Sequence, residues 1–347
     1  MKILNDLLHP AEFHFSYRIN EELTKRGHEV IITARGVNTL IELLENSGLN
    51  YVNLGKKSKN KIGLLFEYIN RTTKLLWIAY RNKIDIFYGA SVVSVVLVGF
   101  LLRIPTIYIT ELEEKGIKTG INHKLSSRIY TPVYFKKNLG DKQRWINTIP
   151  SLTYLDPKYF TPQKTIVEKI LKIDLNSECY YIVRFCNWDA SHDINEHGFS
   201  SEMKEKIIEY LLKFGRVYVM DESNEERFRK YKLNIPKHLI HHVIAFSSMV
   251  ISETTTITLE AALLGVPSIR CTSLVDTRKG GAAMFEELEK QGLVYNYSNE
   301  NTAFEKMMEI IVENKSRDFW VKRKDGFISK CDPDIVKTLA DAVENYQ

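Results

Sequence analysis

Several motifs that mark common enzyme classes are missing from this sequence. It has no Gly-x-x-x-x-Gly-Lys loop, no Gly-x-Ser-x-Gly elbow and no His-Glu-x-x-His helix. Their absence argues against P-loop NTPases, α/β-hydrolases and zinc proteases of those types. The strand–helix–strand start also lacks the glycine fingerprint of dinucleotide-binding folds, so we expect neither a nicotinamide nor a flavin cofactor.

Cysteines are few and the net charge is small. The cysteines are far apart, at Cys179, Cys186, Cys271 and Cys331. This spacing predicts no disulfide framework and no metal site, and it favours buried, reduced thiols. The formal net charge of +5 is too small to indicate a nucleic-acid partner, but it is compatible with an anionic small substrate or an acidic membrane surface.

Long apolar runs are also scarce. Residues 86–102 form one stretch without a charged side chain, and it falls just short of the usual length of a membrane span. We interpret it as strand 84–88, a turn and a buried helix that ends before Pro105. The N-terminus has polar and acidic residues too early for a signal peptide. We therefore expect a cytoplasmic protein, and a location at the inner face of the membrane is compatible with its charge.

Strand-like and helix-like segments alternate along the 347 residues, a length that suits two domains. A segment with three prolines at 148–162 has the character of a linker. We predict an α/β fold with a Rossmann-like domain at 1–150, a second one at 163–330, and a C-terminal helix within 331–347 that packs back on the first. In such doubly wound sheets ligands bind beyond the carboxyl ends of the strands. The main predicted strands are 2–8, 28–33, 84–88 and 106–109, then 180–184, 216–220, 249–251 and 268–271.

The stretch 247–271 has the pattern of strand, hydroxyl-rich loop, helix, Gly stop and strand. We expect a strand at 249–251, a helix at 257–264 and a left-handed Gly265. Backbone N–H groups and the dipole at a helix start favour a phosphate group, and neighbouring threonine hydroxyls add donors. Alternatively, the threonines cap the helix and Glu260 is a surface residue. The residues assigned here to nucleotide binding are Glu253, Thr254, Thr255, Thr256 and Glu260.

A second polar loop, 185–198, follows the first strand of the second domain. Arg184 at the end of that strand could neutralise a phosphate, and Arg270 adds positive charge after a later strand. His192 and Asp193 could position a nucleotide or a leaving group. The alternative is an Asp- and Asn-rich turn packed by Trp188.

Acid–base candidates lie in the loop after the first strand. His titrates near neutrality, and a nearby carboxylate can shift its pKa. The spacing of these residues is not that of a metal site. The candidates for catalysis are Asp6, His9, Glu12 and His14. Glu111, Glu113 and Glu114 follow the strand at 106–109 and could face the cleft, but we expect them to be surface acids. We expect the lysine run within 56–61 to be a solvated loop rather than a phosphate or lipid-headgroup contact.

The stretch 252–261, SETTTITLEA, resembles the Thr-Asp-Ser-Gly-Gly…Glu-Ala segment of UDP-N-acetylglucosamine 2-epimerases. It also resembles the Ser-Gly…Glu segment of the peptidoglycan N-acetylglucosaminyl transferase. The resemblance implies a GT-B fold, with two Rossmann-like domains facing a central cleft. In those families the Ser-Gly part holds the pyrophosphate and the Glu holds the ribose, which implies those roles for 254–256 and Glu260. One departure is that Thr255 and Thr256 stand where the families have glycines.

The chain is also similar over most of its length to an uncharacterised prokaryotic family of the same superfamily. That family shares an Asp…His-Pro…His-Phe start, then Arg-Gly-His-Glu-Val and Thr-Ala-Arg, here at 26–30 and 33–35. It also shares Arg…Trp-x-Ala-x-His-Asp and Glu-Ala-Ala-x-Leu-Gly-x-Pro. The matching residues of the first and third motifs are Asp6, His9, Pro10, His14 and Phe15, and Arg184, Trp188, Ala190, His192 and Asp193, while the last motif lies at 260–267.

Three functional hypotheses follow. The first is a metal-independent GT-B glycosyltransferase in surface polysaccharide or glycoconjugate assembly, with a nucleotide-diphosphate sugar as co-substrate and a glycan or lipid-linked acceptor. The first domain would then take the acceptor and the second the nucleotide sugar. The second hypothesis is an epimerase or hydrolase similar to UDP-N-acetylglucosamine 2-epimerase, and the third is a non-catalytic nucleotide-sugar-binding subunit. Peripheral membrane association and a homodimer are compatible with the sequence.

Overall fold

The computed structural model describes residues 1–56, 58, 60–90, 93–111, 113, 116–186, 196–221, 225–275 and 282–346. Strands and helices alternate along almost all of this chain. The strands are β1 (Lys2–Leu7), β2 (Glu29–Gly36), β3 (Tyr51–Lys56), β4 (Ile86–Gly89), β5 (Thr106–Ile109), β6 (Arg128–Pro132), β7 (Gln143–Ile146), β8 (Tyr180–Phe185), β9 (Arg216–Asp221), β10 (Met249–Ser252), β11 (Ser268–Cys271) and β12 (Val294–Tyr297). The helices are α1 (Pro10–Lys25), α2 (Asn38–Ser47), α3 (Lys61–Asn82), α4 (Val93–Leu102), α5 (Ile117–Leu125), α6 (Leu152–Leu155), α7 (Lys164–Leu171), α8 (Ser201–Leu211), α9 (Ile240–Ala245), α10 (Thr255–Leu263), α11 (Ala282–Lys290), α12 (Glu300–Glu313), α13 (Arg317–Ile328) and α14 (Ile335–Glu344).

The chain divides into two units. The first comprises Met1–Tyr154 together with Cys331–Gln347, and the second comprises Leu155–Lys330. The C-terminal helix α14 packs on α1 in the first unit. There Arg26 forms ion pairs with Asp341 at 2.5 Å and with Glu344 at 2.8 Å. Buried Ile335, Leu339 and Val343 give α14 an apolar face that explains why it packs inward.

The first unit has a seven-stranded parallel sheet in the order β3-β2-β1-β4-β5-β6-β7. Its central strands are buried on both faces, as expected for a parallel sheet covered by helices on both sides. The chain runs outward from β1 to β3 and then continues from β4 on the other side of β1. The topological switch point therefore lies between the carboxyl ends of β1 and β4, where doubly wound sheets bind ligands.

The second unit has a five-stranded parallel sheet in the order β12-β11-β10-β8-β9. Its switch point lies between β8 and β10. One face packs against a core of apolar side chains from α8 and α12, including Met203, Ile207 and Met307. The predicted α/β class with two Rossmann-like domains is confirmed.

Some segments differ from their prediction. Helix α10 begins at Thr255, two residues earlier than predicted, because Thr254 already has the extended conformation of an N-cap residue (φ −106°, ψ 152°). Gly265 is left-handed (φ +72°), as predicted. The cysteines are free, as predicted, but Cys271 alone is buried and the other three are half-buried. The apolar run divides into β4 and α4, and no helix in the described part of the chain is long and apolar enough to cross a membrane.

Candidate functional site

The carboxyl edge of the second sheet brings two predicted arginines into one row. Arg184 on β8 is the register partner of Ser252 on β10, and Ser252 is the partner of Arg270 on β11. Arg270 in turn pairs with Asn296 on β12. Register partners of a sheet project their side chains from the same face. The row thus places two guanidinium groups on either side of Ser252, at the switch point and directly before the turn into α10.

The start of α10 lies at the surface of the second unit. Thr256 is exposed, and Thr254 and Thr255 are half-buried. Thr254 is the N-cap residue, yet its side chain makes no capping hydrogen bond. Instead its hydroxyl lies 2.9 Å from Ser252 Oγ, which accepts a hydrogen bond from Thr254 N at 2.9 Å. Thr254 thus occupies the N-cap position, as in the alternative interpretation, but without a side-chain capping hydrogen bond. Phosphate binding at 254–256 stays a prediction.

Arg270 is a buried cation without a carboxylate partner. The side chain is 0% exposed, and none of its three nitrogen atoms has a hydrogen-bond partner among the described residues. Its guanidinium carbon lies 4.5 Å from the centre of the Phe285 ring. Burial lowers the pKa of Arg270 to about 10. Buried guanidinium groups are normally hydrogen-bonded, so Arg270 is a candidate for contact with an anionic ligand, and that role stays a prediction.

Arg184 and Asn296 lie at the two ends of the same row. Arg184 is half-buried, and one of its N–H groups points to the Met220 carbonyl oxygen at 3.5 Å, a long contact. Asn296 Oδ1 is buried without a partner among the described residues. Polar groups without a partner in the described part of the chain therefore occupy two adjacent positions of the row, Arg270 and Asn296.

Glu253 holds the ends of the loop between β8 and α8. It is 1% exposed, and its carboxylate accepts hydrogen bonds from Cys186 N at 2.6 Å and from Phe199 N at 2.7 Å. Lys204 on α8 lies 3.7 Å away. These contacts give Glu253 a role in positioning the loop, and nucleotide contact by its side chain stays a prediction. Trp188, His192 and Asp193 lie outside the described residues.

Glu260 is buried one turn below Thr256 on α10. Its Oε1 atom lies 3.1 Å from His241 Nε2 on α9, and both side chains are almost fully buried. The alternative that Glu260 is a surface residue is therefore wrong, because α9 covers this face of the helix. The sequence did not point to His241, which lies almost twenty positions earlier in the chain. Ribose binding by Glu260 stays a prediction.

In the first unit, His9 and Glu12 shape the turn between β1 and α1. His9 is the exposed N-cap residue, and its Nδ1 accepts a hydrogen bond from Ala11 N at 3.3 Å. Glu12 is buried, and its carboxylate accepts a hydrogen bond from Leu8 N at 2.6 Å. This reciprocal arrangement resembles a capping box. Both residues lie at the switch point of the sheet, and their catalytic roles stay predictions.

Asp6 forms a buried ion pair with Arg71 of α3 and accepts a hydrogen bond from the Thr33 hydroxyl at 2.6 Å. Burial raises the pKa of Asp6, while the charge of Arg71 and the two hydrogen bonds oppose that rise. These contacts tie β1 to β2 and α3. His14 is half-buried, and its ring centre lies 5.3 Å from that of Tyr154. Catalysis by Asp6 or His14 stays a prediction.

Two groups lie at the carboxyl edge of the first sheet, of which the sequence analysis considered Glu111 but not Tyr134. Glu111 follows β5 and Tyr134 follows β6. Glu111 Oε2 and the Tyr134 hydroxyl are both buried without a hydrogen-bond partner in the described part of the chain. Burial raises the pKa of Glu111 to about 7 and that of Tyr134 well above its usual value. The expectation that Glu111 is a surface acid is wrong, because one of its carboxyl oxygens is buried and its charge acts on Tyr134.

Comparison with known proteins gives the family. The family model described as "Protein of unknown function (DUF354)" matches residues 1–319. The chain belongs to this family. An uncharacterized protein of Methanocaldococcus jannaschii is 23% identical over 280 residues, which cover 77% of this chain and 80% of that protein.

Solved structures establish the fold. The UDP-GlcNAc 2-epimerase of Neisseria meningitidis bound to UDP-GlcNAc is similar with a TM-score of 0.68 and 15% identity, over 100% of both chains. The spinosyn forosaminyltransferase SpnP is similar with a TM-score of 0.65 and 14% identity, over 99% of this chain and 100% of that one. Identities this low show the shared GT-B fold and leave the reaction open.

Proposed function

We propose that the protein is a metal-independent glycosyltransferase that uses a nucleotide-diphosphate sugar and acts in the assembly of a surface polysaccharide or glycoconjugate. The observation that carries the proposal is the buried, unpartnered Arg270 in the strand row that precedes the start of α10. Binding of nucleotide sugars by proteins of this fold supports it, since the Neisseria epimerase was solved with UDP-GlcNAc.

The donor diphosphate would bind in the second unit. Its oxygens would accept hydrogen bonds from the backbone N–H groups and hydroxyls at 254–256, while Arg270 and Arg184 balance its charge. Glu260, positioned by His241, would bind the ribose hydroxyls. Because the arginines are already in place in a mostly buried setting, they would stabilise the negative charge that develops on the departing diphosphate.

The general base that deprotonates the acceptor hydroxyl would be a residue of the first unit. Glu111 fits this task best among the described residues, since its carboxyl group has a pKa near 7 and one oxygen without a partner. It would take the proton of the acceptor hydroxyl as the acceptor oxygen bonds to the anomeric carbon and the bond to the diphosphate breaks. His9 and His14 remain candidates for the same role, whereas the Glu12 carboxylate already binds Leu8 N.

Calorimetry with UDP, GDP, CMP and dTDP tests the donor site. We expect one of the diphosphates to bind, and Arg270→Met to weaken its binding at least tenfold, because a charge-assisted contact to the diphosphate is lost. Arg229→Met is the matched control, since Arg229 is an exposed arginine of the same unit. Equal affinity of wild type and Arg270→Met would contradict the proposal.

A second candidate function is epimerization of a UDP-sugar. The specific observation in its favour is the pair Glu111 and Tyr134, two buried, unpartnered groups of the kind that remove and return a proton. Incubation with UDP-N-acetylglucosamine alone separates the two candidates, because an epimerase or hydrolase gives a product without an acceptor. Nucleotide binding without turnover of any donor would indicate a binding subunit instead.

A further inference from the structure

Helix α3 presents large apolar side chains to solvent on one face near both of its ends, with the exposed Thr73 between the two groups. Ile62 is 71% exposed and Tyr80, near the other end, is 75% exposed. At about 100° per residue, six of the seven exposed large apolar side chains of α3 fall within an arc of about 120°, and only Leu64, which is 39% exposed, lies on the other side of the helix. With 22 residues, the helix is about 33 Å long. The side chains that form this α3 stripe are Ile62, Leu65, Phe66, Ile69, Trp77 and Tyr80.

The size of the stripe separates it from ordinary scattered surface residues. Single exposed apolar residues are common on soluble proteins, but a row of large aliphatic and aromatic side chains marks an interaction surface. The opposite side of α3, with Leu75, Ile78 and Ala79, is buried in the core of the first unit. The helix is therefore already held in place by its inner face, and its outer face is available to a partner.

The charges beside the α3 stripe are positive. Lys74 and Arg81 are exposed on α3 next to the stripe, and Lys56 is exposed at the end of β3. The one acidic residue of α3, Glu67, forms an ion pair with Arg35 at 2.5 Å and accepts a hydrogen bond from Ser58 N. The stripe is thus flanked by cations, and its own helix offers them no free carboxylate.

A cavity of about 540 Å³ opens beside the stripe, between α3 and the edge of the sheet. Lys74, Trp77 and Arg81 line it on the side of the helix, and Ile31, Val52 and Leu54 line it on the side of the strands. The Arg81 guanidinium lies over the Trp77 ring at 5.1 Å. Cations at the rim and an apolar floor fit an amphiphile that has an anionic head and an apolar body.

We propose that the α3 stripe and this cavity form a docking surface for an anionic lipid bilayer. The apolar side chains would enter the boundary between headgroups and acyl chains, and Lys74 and Arg81 would contact lipid phosphates. A second copy of the chain fits less well. In a symmetric dimer the stripe would pack on itself and bring the cations of both copies together, with no acid of α3 left to neutralise them.

Vesicle sedimentation of the full chain without nucleotide tests this surface, so the result does not depend on the proposed enzymatic function. We expect binding to phosphatidylcholine vesicles that contain phosphatidylglycerol, much weaker binding to pure phosphatidylcholine, and weakening at high salt. Phe66→Ser with Ile69→Ser should reduce binding more than tenfold, because both side chains lose their apolar burial. Lys74→Gln and Arg81→Gln should each reduce it about fivefold.

The control variant is Val312→Ser, because Val312 is 76% exposed on α12 of the second unit, away from α3. It should bind vesicles as the wild type does. Absence of wild-type binding, equal binding to both kinds of vesicle, or an equal loss in Val312→Ser would overturn the proposal. A dimer in analytical ultracentrifugation that Phe66→Ser with Ile69→Ser converts to monomers would also overturn it, since a second copy would then cover the stripe.

Discussion

Gly198 leaves the space that the buried side chain of Glu253 occupies. A Cβ atom on Gly198 would lie only 2.6 Å from Glu253 Cγ, well inside normal contact distance. Glu253 cannot move aside easily, because its carboxylate accepts hydrogen bonds from Cys186 N and Phe199 N. Glycine at 198 and glutamate at 253 therefore work together to close the loop between β8 and α8 onto the end of β10.

We expect Gly198→Ala to destabilise the protein by about 1–3 kcal/mol, because the added methyl group overpacks a fixed side chain. Glu253→Gln should lower the free energy of unfolding by a similar amount, since the single oxygen of an amide cannot replace both carboxylate oxygens as acceptors. Urea unfolding gives the free energies, and hydrogen exchange should show faster exchange at Cys186 and Phe199. The control is Gly326→Ala on α13, where no atom lies within 4 Å of the new Cβ. That change should be neutral or stabilising.

Asp6 and Arg71 should behave as one structural unit. We expect Asp6→Asn and Arg71→Met each to reduce the free energy of unfolding by about 3 kcal/mol, because each leaves a buried partner uncompensated. The double variant should lose less free energy of unfolding than the sum of the losses in the two single variants. Chemical denaturation of the three variants measures this coupling. A normally stable Asp6→Asn variant that lacks activity would instead favour the catalytic role that the sequence analysis assigned to Asp6.

Local patterns predicted the elements of this fold well, while contacts between distant residues escaped them. Alternating apolar and helical segments revealed the order of the main strands and helices, and Gly265 marked a helix end correctly because its signal is local. The Glu-Leu-Glu-Glu run at 111–114 has the composition of a solvated loop. Glu111 is nevertheless half-buried with one carboxyl oxygen inaccessible to solvent, and no pattern near residue 111 contains that information.

In the candidate site, too, local sequence patterns predicted some features, whereas tertiary contacts determined the others. The sequence indicated the polar turn and the strand ends, so Arg184, Thr254 and Arg270 were identified as candidates. It could not show that Arg270 has no internal partner, nor that Glu260 meets His241, because both facts depend on how strands and helices pack. Residue types and spacing locate a polar site, whereas tertiary contacts decide which of its members are structural.

Replacement of Glu111 should change the pH dependence of stability. Its folded-state pKa of about 7 exceeds the ordinary value of 4.5, so the folded protein binds more protons than the unfolded chain between these pH values. Wild-type stability therefore falls as the pH rises through this window. Part of the side chain is accessible to solvent, so we expect Glu111→Gln to be more stable than wild type by about 2 kcal/mol at pH 8, and by little at pH 4.5.

Thermal and urea unfolding at both pH values measure the difference. Glu313→Gln is the control, because Glu313 is exposed on α12 and its replacement should shift stability equally at both pH values. A Glu111→Gln difference that does not change with pH would show that the carboxyl group is already ionised at pH 4.5. The same variant should lose turnover if Glu111 is the base, which separates its catalytic role from its effect on stability.

Arg270→Met should separate stability from ligand binding. The wild-type protein holds a buried cation whose desolvation outweighs the favourable charge of Glu289, and the lowered pKa of about 10 means that the folded state binds this proton less tightly than the unfolded chain does. Methionine removes the free-energy cost of burying the guanidinium charge, although it also loses the cation–π contact with the Phe285 ring. Without nucleotide, we therefore expect the variant to be as stable as wild type or up to about 2 kcal/mol more stable. As the pH rises through about 10, the wild type should gain stability and the variant should not.

With a saturating nucleotide diphosphate, the wild type should become more stable than Arg270→Met. Ligand binding raises the melting temperature only of the protein that binds the ligand. Thermal unfolding with and without the nucleotide measures both effects in one experiment. A variant that unfolds earlier than wild type without ligand would mean that Arg270 has a structural partner outside the described residues. An arginine that makes the empty protein less stable and the loaded one more stable is best explained as part of a binding site.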